Sequence, residues 1–387
     1  MPLNRATAVI GSAIRVPVDT DRDCLEEILY EVTQAALRSA GLTIKQIDGI
    51  MVGSNDQVDG RAISVMAASG SVGGVDRDIL STPSAGEHAF VMGVLRVASA
   101  QYETQLVVAW GGTEASSLSE VERLGADPYF HRRLPQDDLA SYALQANVLV
   151  DAQPQVAGLV AELVALNRRR GAVAYPDAAA PVATAAQIEA STPVCWPVRE
   201  GMLRPPVTGA VALVLASADF VQQAGIQNPA WVRGMGWATE AAFLGDRDLT
   251  QAQALQEALR QALADARIDS VTQVDVAEVT GPTPYQELLA YQALGLAGPE
   301  QWAGLVAGKV AGKVAGAAAG PAINPSGGLA AINPVFCGGL VRIAEAAQQV
   351  RGLAGAHQAA PARTALAHAA SGPAMMYQTV VVFGRDQ

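Results

Sequence analysis

Apolar runs of strand character alternate with stretches of helical spacing along this chain, and the alternation occurs twice. Residues 6–14 form a short apolar run, 24–40 carry apolar positions at helical spacing up to a stop at Gly41, and 47–52 read as the next strand. A helix rich in small and apolar residues follows over 84–99, then a buried strand over 105–110 closed by Gly111-Gly112. From 116 to 206 the sequence turns polar and proline-containing, with one clear helix around 155–170. The alternation resumes with a strand at 208–215 and a helix at 218–224, and a second cycle begins at Trp231. That cycle has helices over 249–266, 284–294 and 338–350 and strands over 274–279 and 379–383. Strands that alternate with helices predict an α/β fold whose sheet is mainly parallel and covered on both faces. The expected division is 1–115 plus 207–227 as a first half, 116–206 as an inserted loop domain, and 228–387 as a second half.

The 387 residues, half of them hydrophobic, suffice for two or three domain-sized units around a large core. A formal charge of −11 argues against nucleic acid or an anionic membrane as the main partner, since both call for a basic footprint. There is no uninterrupted apolar run of the ~20 residues that a membrane-crossing helix needs, and no basic and apolar leader, so a cytoplasmic location is the expectation. Cys24, Cys195 and Cys337 are too few and too scattered for a disulfide framework or a zinc site. No permanently bound cofactor is expected. The tandem around Lys309 and Lys313 puts two amines at i, i+4 spacing, suited to holding a phosphate, to offering an amine for a Schiff base, or to a solvated loop; it lacks the spacing and the Ser/Thr of a phosphate-binding loop.

Three motifs carry a resemblance. Asn324-Pro325-Ser326-Gly327-Gly328 is followed by Ile332-Asn333-Pro334 and Cys337-Gly338-Gly339-Leu340. This resembles the carboxy-terminal signature of the thiolases, in which N-P-S-G-G precedes a G-H-P or T-H-P loop. Glu287-Leu288-Leu289-Ala290-Tyr291-Gln292-Ala293-Leu294-Gly295-Leu296 is similar to the E-L-L-x-Y-E-A-L-G-L helix of the sterol-carrier-type thiolases, and the run Gly209 to Leu215 to the strand that closes their first half. The resemblance implies the thiolase fold, five layers in α/β/α/β/α order with two related halves and an inserted loop domain. It also implies an acyl-CoA thioester as ligand, with coenzyme A as a substrate moiety, and a homodimer.

Thiolase chemistry uses a thiolate nucleophile, a base to deprotonate it, an acid/base for the carbanion, and donors for the thioester oxyanions. At the nucleophile's position this chain has Pro83 or Gly86, depending on the anchor, and neither attacks a thioester. Ser84 lies between them with His88 at i+4, either a Ser-His pair or an ordinary N-cap and a helix-face residue. Thr280 falls where the family has the histidine of H-D-x-F, and can hydrogen-bond a substrate oxygen but not act as a base. Asn333 replaces the histidine of G-H-P; its amide can donate to a thioester carbonyl but cannot take a proton from a thiol, unless it is simply a turn residue before proline.

His368, in Ala367-His368-Ala369-Ala370-Ser371-Gly372-Pro373, resembles the H-G-N-G-G segment of lipid-transfer-type homologues and is the first choice for moving protons near neutrality. Cys337, at the start of a helix, is either a substitute nucleophile with a depressed pKa or a core residue. Tyr285 is a further catalytic candidate, and Gly328, Gly372 and Arg168 are substrate-binding candidates with Thr280. His131, Arg132-Arg133 and Arg168-Arg169-Arg170 could hold phosphates or form a solvated face. Loss of the thiolate and both histidines favours a lyase that splits a β-hydroxyacyl-CoA by retro-aldol chemistry beside an OB-fold partner, as some thiolase homologues do. Two alternatives stay open: acyl transfer from Ser84 or Cys337, and a catalytically silent scaffold that binds acyl-CoA.

Overall fold

A computed structural model describes residues 5–17, 22–60, 63–82, 85–112, 117–134, 136–307 and 320–387. Ser84, Lys309 and Lys313 lie outside the described residues. The strands are β1 (Thr7–Arg15), β2 (Gly49–Gly53), β3 (Asp78–Thr82), β4 (Thr104–Gly111), β5 (Pro193–Cys195), β6 (Val198–Arg199), β7 (Gly209–Ser217), β8 (Ala230–Thr239), β9 (Val276–Val279), β10 (Ala322–Ile323), β11 (Thr364–Ser371) and β12 (Tyr377–Gly384). Ten of them form one sheet in the order β10-β9-β11-β12-β8-β1-β7-β4-β2-β3, while β5 and β6 make a separate small hairpin.

The sheet is two five-stranded halves of one design. In the first, β3, β2 and β4 run parallel, and β7 and β1 join antiparallel. In the second, β10, β9 and β11 run parallel, and β12 and β8 join antiparallel. The halves meet where β1 pairs β8 through only Ala8↔Trp231 and Val9↔Ala230. The expectation of a mainly parallel sheet is therefore corrected: five of the nine pairings are antiparallel.

Side-chain alternation builds the layers. Ala8, Ile10, Ile50 and Val52 pack outward with Leu29, Val32 and Leu37 of the helix Leu25–Ala40, whereas Val9, Met51, Val107 and Leu213 face inward. The inward face meets the central helices Gly86–Ala98 and Gly338–Arg351, which also cover Val276, Ala365, Val381 and Phe383 of the second half. Beyond that half lie the helices Gln253–Ala266 and Pro284–Ala293, together with the segment inserted between β4 and β7. The order is helix, sheet, helix, sheet, helix, the five-layered thiolase fold.

The central helices must approach closely. A Cβ on Gly86 would stand 2.8 Å from Ala109 Cβ and 2.9 Å from Leu340 Cβ, so a larger residue there forces the helices apart.

Several elements differ from their sequence-based outlines. The inserted segment holds the helices Asp138–Ala152 and Val160–Ala174 rather than one helix at 155–170, and Pro154 starts a short 3-10 turn between them. Strand β11 is so rich in alanine that neither its apolarity nor its branching marks it; His368 consequently lies in the middle of a strand that the sequence outline does not contain.

Candidate active site

Carboxyl ends of strands from both halves converge on a cavity of about 480 Å³. Its walls include Asn55, just beyond β2, Ala85 at the N-cap of the helix Gly86–Ala98, and Phe336 from the loop after Asn333-Pro334. Ser371 and Gly372 at the end of β11 and Tyr377 at the start of β12 complete one side. The inserted segment closes the other with Glu122, Asp137, Asp138 and His131. Gly86 N–H donates to Phe336 O at 2.7 Å, tying the first turn of the central helix to the signature loop, and Phe336 takes a positive φ of 56° to make that turn. The open end of the helix brings partial positive charge to the cavity wall.

The carboxyls here are unusual. Asp137 N-caps its helix by accepting from Ala140 N–H at 2.8 Å, and it also accepts from Ser119 Oγ at 2.7 Å. Asp138 N–H donates to Glu122 Oε2 at 3.0 Å, which brings the acids together. Burial, then repulsion from Glu122 and Asp137, pushes the Asp138 carboxyl up to about 8. Burial raises Glu122 as well. Glu122 and Asp138 titrate as a unit that retains one proton near neutrality. Tyr142, whose hydroxyl donates to Gly372 O at 3.5 Å, lies against Asp138, and burial and the neighbouring acids keep it un-ionised. At one edge His131 stacks on Phe243 with ring centroids 5.3 Å apart, and His88 meets Tyr377 edge-on at 5.7 Å.

Of the sequence-based candidates that the structure describes, Gly372 and His131 line this cavity, Gly372 with a left-handed φ of 76°. The candidates taken next stand elsewhere. His368 is fully buried, shares a 2.7 Å hydrogen bond with Gln378, and is held down to about 4 by desolvation, so it is neutral at physiological pH. Thr280 donates both its N–H and its hydroxyl to His368 O, at 3.1 and 3.0 Å. Asn333 Nδ2 donates to Arg204 O at 2.9 Å, so its amide braces the loop beside the insert.

Tyr285 is buried among the second half's outer apolar side chains, and burial pushes its phenol up to about 12. Cys337 is fully buried and points its thiol at Gly209 O, 3.8 Å away. Desolvation raises that thiol well above the usual range, which corrects the depressed pKa expected at a helix start. Arg168 donates to Gly201 O at 2.9 Å and Leu203 O at 3.1 Å.

Gly328 belongs to the signature motif, whose conformation is explained by one buried polar network. Asn324, at φ 44°, accepts from Val279 N–H at 2.6 Å and donates to Glu287 Oε1 at 2.7 Å. Glu287 also accepts from Asn167 at 2.7 Å and from the Tyr291 hydroxyl. Ser326 donates to Glu278 Oε2 at 2.6 Å, and Arg342 bridges the same carboxylate at 2.8 Å with neither partner exposed. The two motifs most like the family's are thus bonded to each other. Gly328 sits beside this network, where its Cβ would lie 2.9 Å from Asn324 Nδ2.

Sequence reasoning missed Glu87, Glu122 and Asp138. A charged residue inside an otherwise small and apolar helix was the signal for Glu87, and paired acids in a polar insert were the signal for the others.

Residues 237–385 match the family model described as thiolase C-terminal domain-like. The chain is 33% identical to human sterol carrier protein 2 over 171 residues, which is 42% of this chain and 30% of that protein. It is 29% identical to the acetyl-CoA acetyltransferase of Methanothermobacter thermautotrophicus over 187 residues, 48% of this chain and 47% of that one. The matched stretches thus span less than half the length of either relative. Among solved structures, the Ltp2-ChsH2(DUF35) aldolase superposes with a TM-score of 0.81 at 17% identity, covering 100% of this chain and 99% of that one.

Residues 237–385 are thus thiolase C-terminal domain-like, and the whole chain has the thiolase fold. None of the described residues that line this thiolase-like cavity is a cysteine. Among the described residues no group of His, Cys, Asp and Glu could hold a metal ion, and no helix is long and apolar enough to cross a membrane.

Proposed function

We propose that the protein cleaves a carbon–carbon bond of a β-hydroxyacyl-CoA by retro-aldol chemistry, without an acyl-enzyme and beside an OB-fold partner. The observation that carries this is the composition of the cavity wall. It holds proton-exchanging carboxyls near the open end of a helix, while Cys337 is buried with its thiol protonated. A protonated, shielded thiol is a poor nucleophile.

The Glu122 and Asp138 pair, holding one proton near pH 7, has an ionised oxygen to accept the proton of the substrate's β-hydroxyl. The Cα–Cβ bond then breaks, releasing an aldehyde or ketone, and its electron pair enters the thioester as an enolate. Charge on the enolate oxygen is stabilised by the positive end of the helix Gly86–Ala98 at Ala85. The aldolase of similar fold fits this chemistry, and its name pairs two components, which fits a partner protein.

The test is incubation with β-hydroxyacyl-CoA thioesters, with and without a candidate OB-fold protein, following carbonyl release. Release that falls at least tenfold in Asp138→Asn supports the proposal; no release in either condition overturns it.

A further inference from the structure

Among the described residues, Glu87 is a buried carboxyl that the fold leaves unexplained. It occupies the first turn of the helix Gly86–Ala98, is 1% exposed, and neither carboxyl oxygen makes a hydrogen bond. A Cβ on Gly339 would lie 2.5 Å from Glu87 Oε2, so the carboxyl rests against the first turn of the helix Gly338–Arg351 as well. A buried carboxyl without a partner costs stability, and glutamine or leucine of similar volume would avoid that cost. Retention of the acid under the wall of a reaction cavity points to chemistry.

Its surroundings lead to the cavity. Ala85 and Ser371 are wall residues, and the buried Ser371 hydroxyl lies close enough to Glu87 to favour its ionised form. Three groups face Glu87: His88 on its own helix, Ser371 on β11, and Cys337 at the start of the helix Gly338–Arg351. His88 in turn touches Tyr377 in the wall. Desolvation raises the carboxyl, so it keeps a proton at higher pH than an ordinary glutamate.

We infer that Glu87 is the proton carrier of this cavity, exchanging a proton through the Ser371 hydroxyl with the α-carbon of the bound thioester. The inference rests on the lyase function proposed above for the direction of transfer. Cleavage sends the β-hydroxyl proton to the Glu122 and Asp138 pair and leaves an enolate. The enolate's electron pair forms a Cα–H bond with the Ser371 hydroxyl proton, which the Glu87 proton replaces. Glu87 is left as a carboxylate, stabilised by two helix starts, and both acid sites reset with water after product leaves. Run backward, the same path removes a Cα proton from an acyl thioester.

The experiment follows deuterium entering the α-carbon of propionyl-CoA in heavy water, by mass spectrometry, across pH. Wild-type protein is expected to catalyse exchange with a rate that rises with pH and then levels as Glu87 ionises. Glu87→Gln, which keeps shape and removes the titration, should slow exchange roughly hundredfold and abolish that limb of the profile. Ser371→Ala should slow it as well, with circular dichroism and thermal unfolding used to check that the variant is folded. Absence of exchange by the wild type, or a folded Glu87→Gln exchanging at the wild-type rate, overturns the inference. Wild-type exchange that depends on Glu87, with no β-hydroxyacyl-CoA cleaved, supports it and refutes the lyase function alone.

Discussion

Asp138→Asn removes one titrating group from the cavity while keeping its shape, and its effect on stability has a sign fixed by linkage. The Asp138 carboxyl moves from an ordinary 3.8 to about 8 on folding, so between those values the native chain holds a proton that the unfolded chain has released. Stability from this group is complete below the unfolded value and is lost as pH rises toward the folded one. Each pH unit in that window is worth about 1.4 kcal/mol, giving an upper bound of about 6 kcal/mol. Asp138 keeps some contact with solvent and shares its titration with Glu122, so screening reduces the expected change to about 1–3 kcal/mol. Urea unfolding of both proteins at pH 5 and pH 9 measures it. The variant should gain about 1–3 kcal/mol on the wild type between the two pH values. An unchanged gap would mean that Asp138 ionises normally and that the crowded-acid cavity is misread.

Asn324→Ala leaves the Val279 N–H and the Glu287 carboxyl without their partner, and should cost about 2–4 kcal/mol in chemical denaturation, with activity per folded molecule nearly kept. Cys337→Ala removes a buried sulfur away from the cavity; carbonyl release should stay within about threefold, at a cost of about 1 kcal/mol of stability. Because His368 is held near 4, the pH profile of carbonyl release should show no limb between pH 5 and 8 that His368→Gln removes.

The fold was legible because its signals are dense. Branched apolar runs such as those in β4 and β7 announce buried strands, and Glu287-Leu288-Leu289 with the Asn324 motif announces the family. Strand direction was not legible: β7 and β12 return antiparallel, and nothing in a buried apolar strand encodes which way its neighbour runs. β11 was hidden because its alanines are poor strand formers and good helix formers, so local propensity argues against the strand that the fold imposes.

The site was less legible, for a physical reason. Motif matching finds residues that hold the frame, and Asn324, Glu287, Thr280 and His368 are all fastened to one another or to backbone away from the cavity. The groups that do crowd the cavity come from the insert, where Glu122 and Asp138 lie 16 positions apart and meet only in the folded chain. Their significance is electrostatic, and burial sets it rather than spacing.

The central claim is bond cleavage without covalent catalysis. Intact-protein mass spectrometry on samples quenched during turnover of a β-hydroxyacyl-CoA tests it directly. Carbonyl product should accumulate while the chain's mass stays unchanged. An added acyl group, mapped to Ser84 or Cys337, would contradict the account and restore acyl transfer.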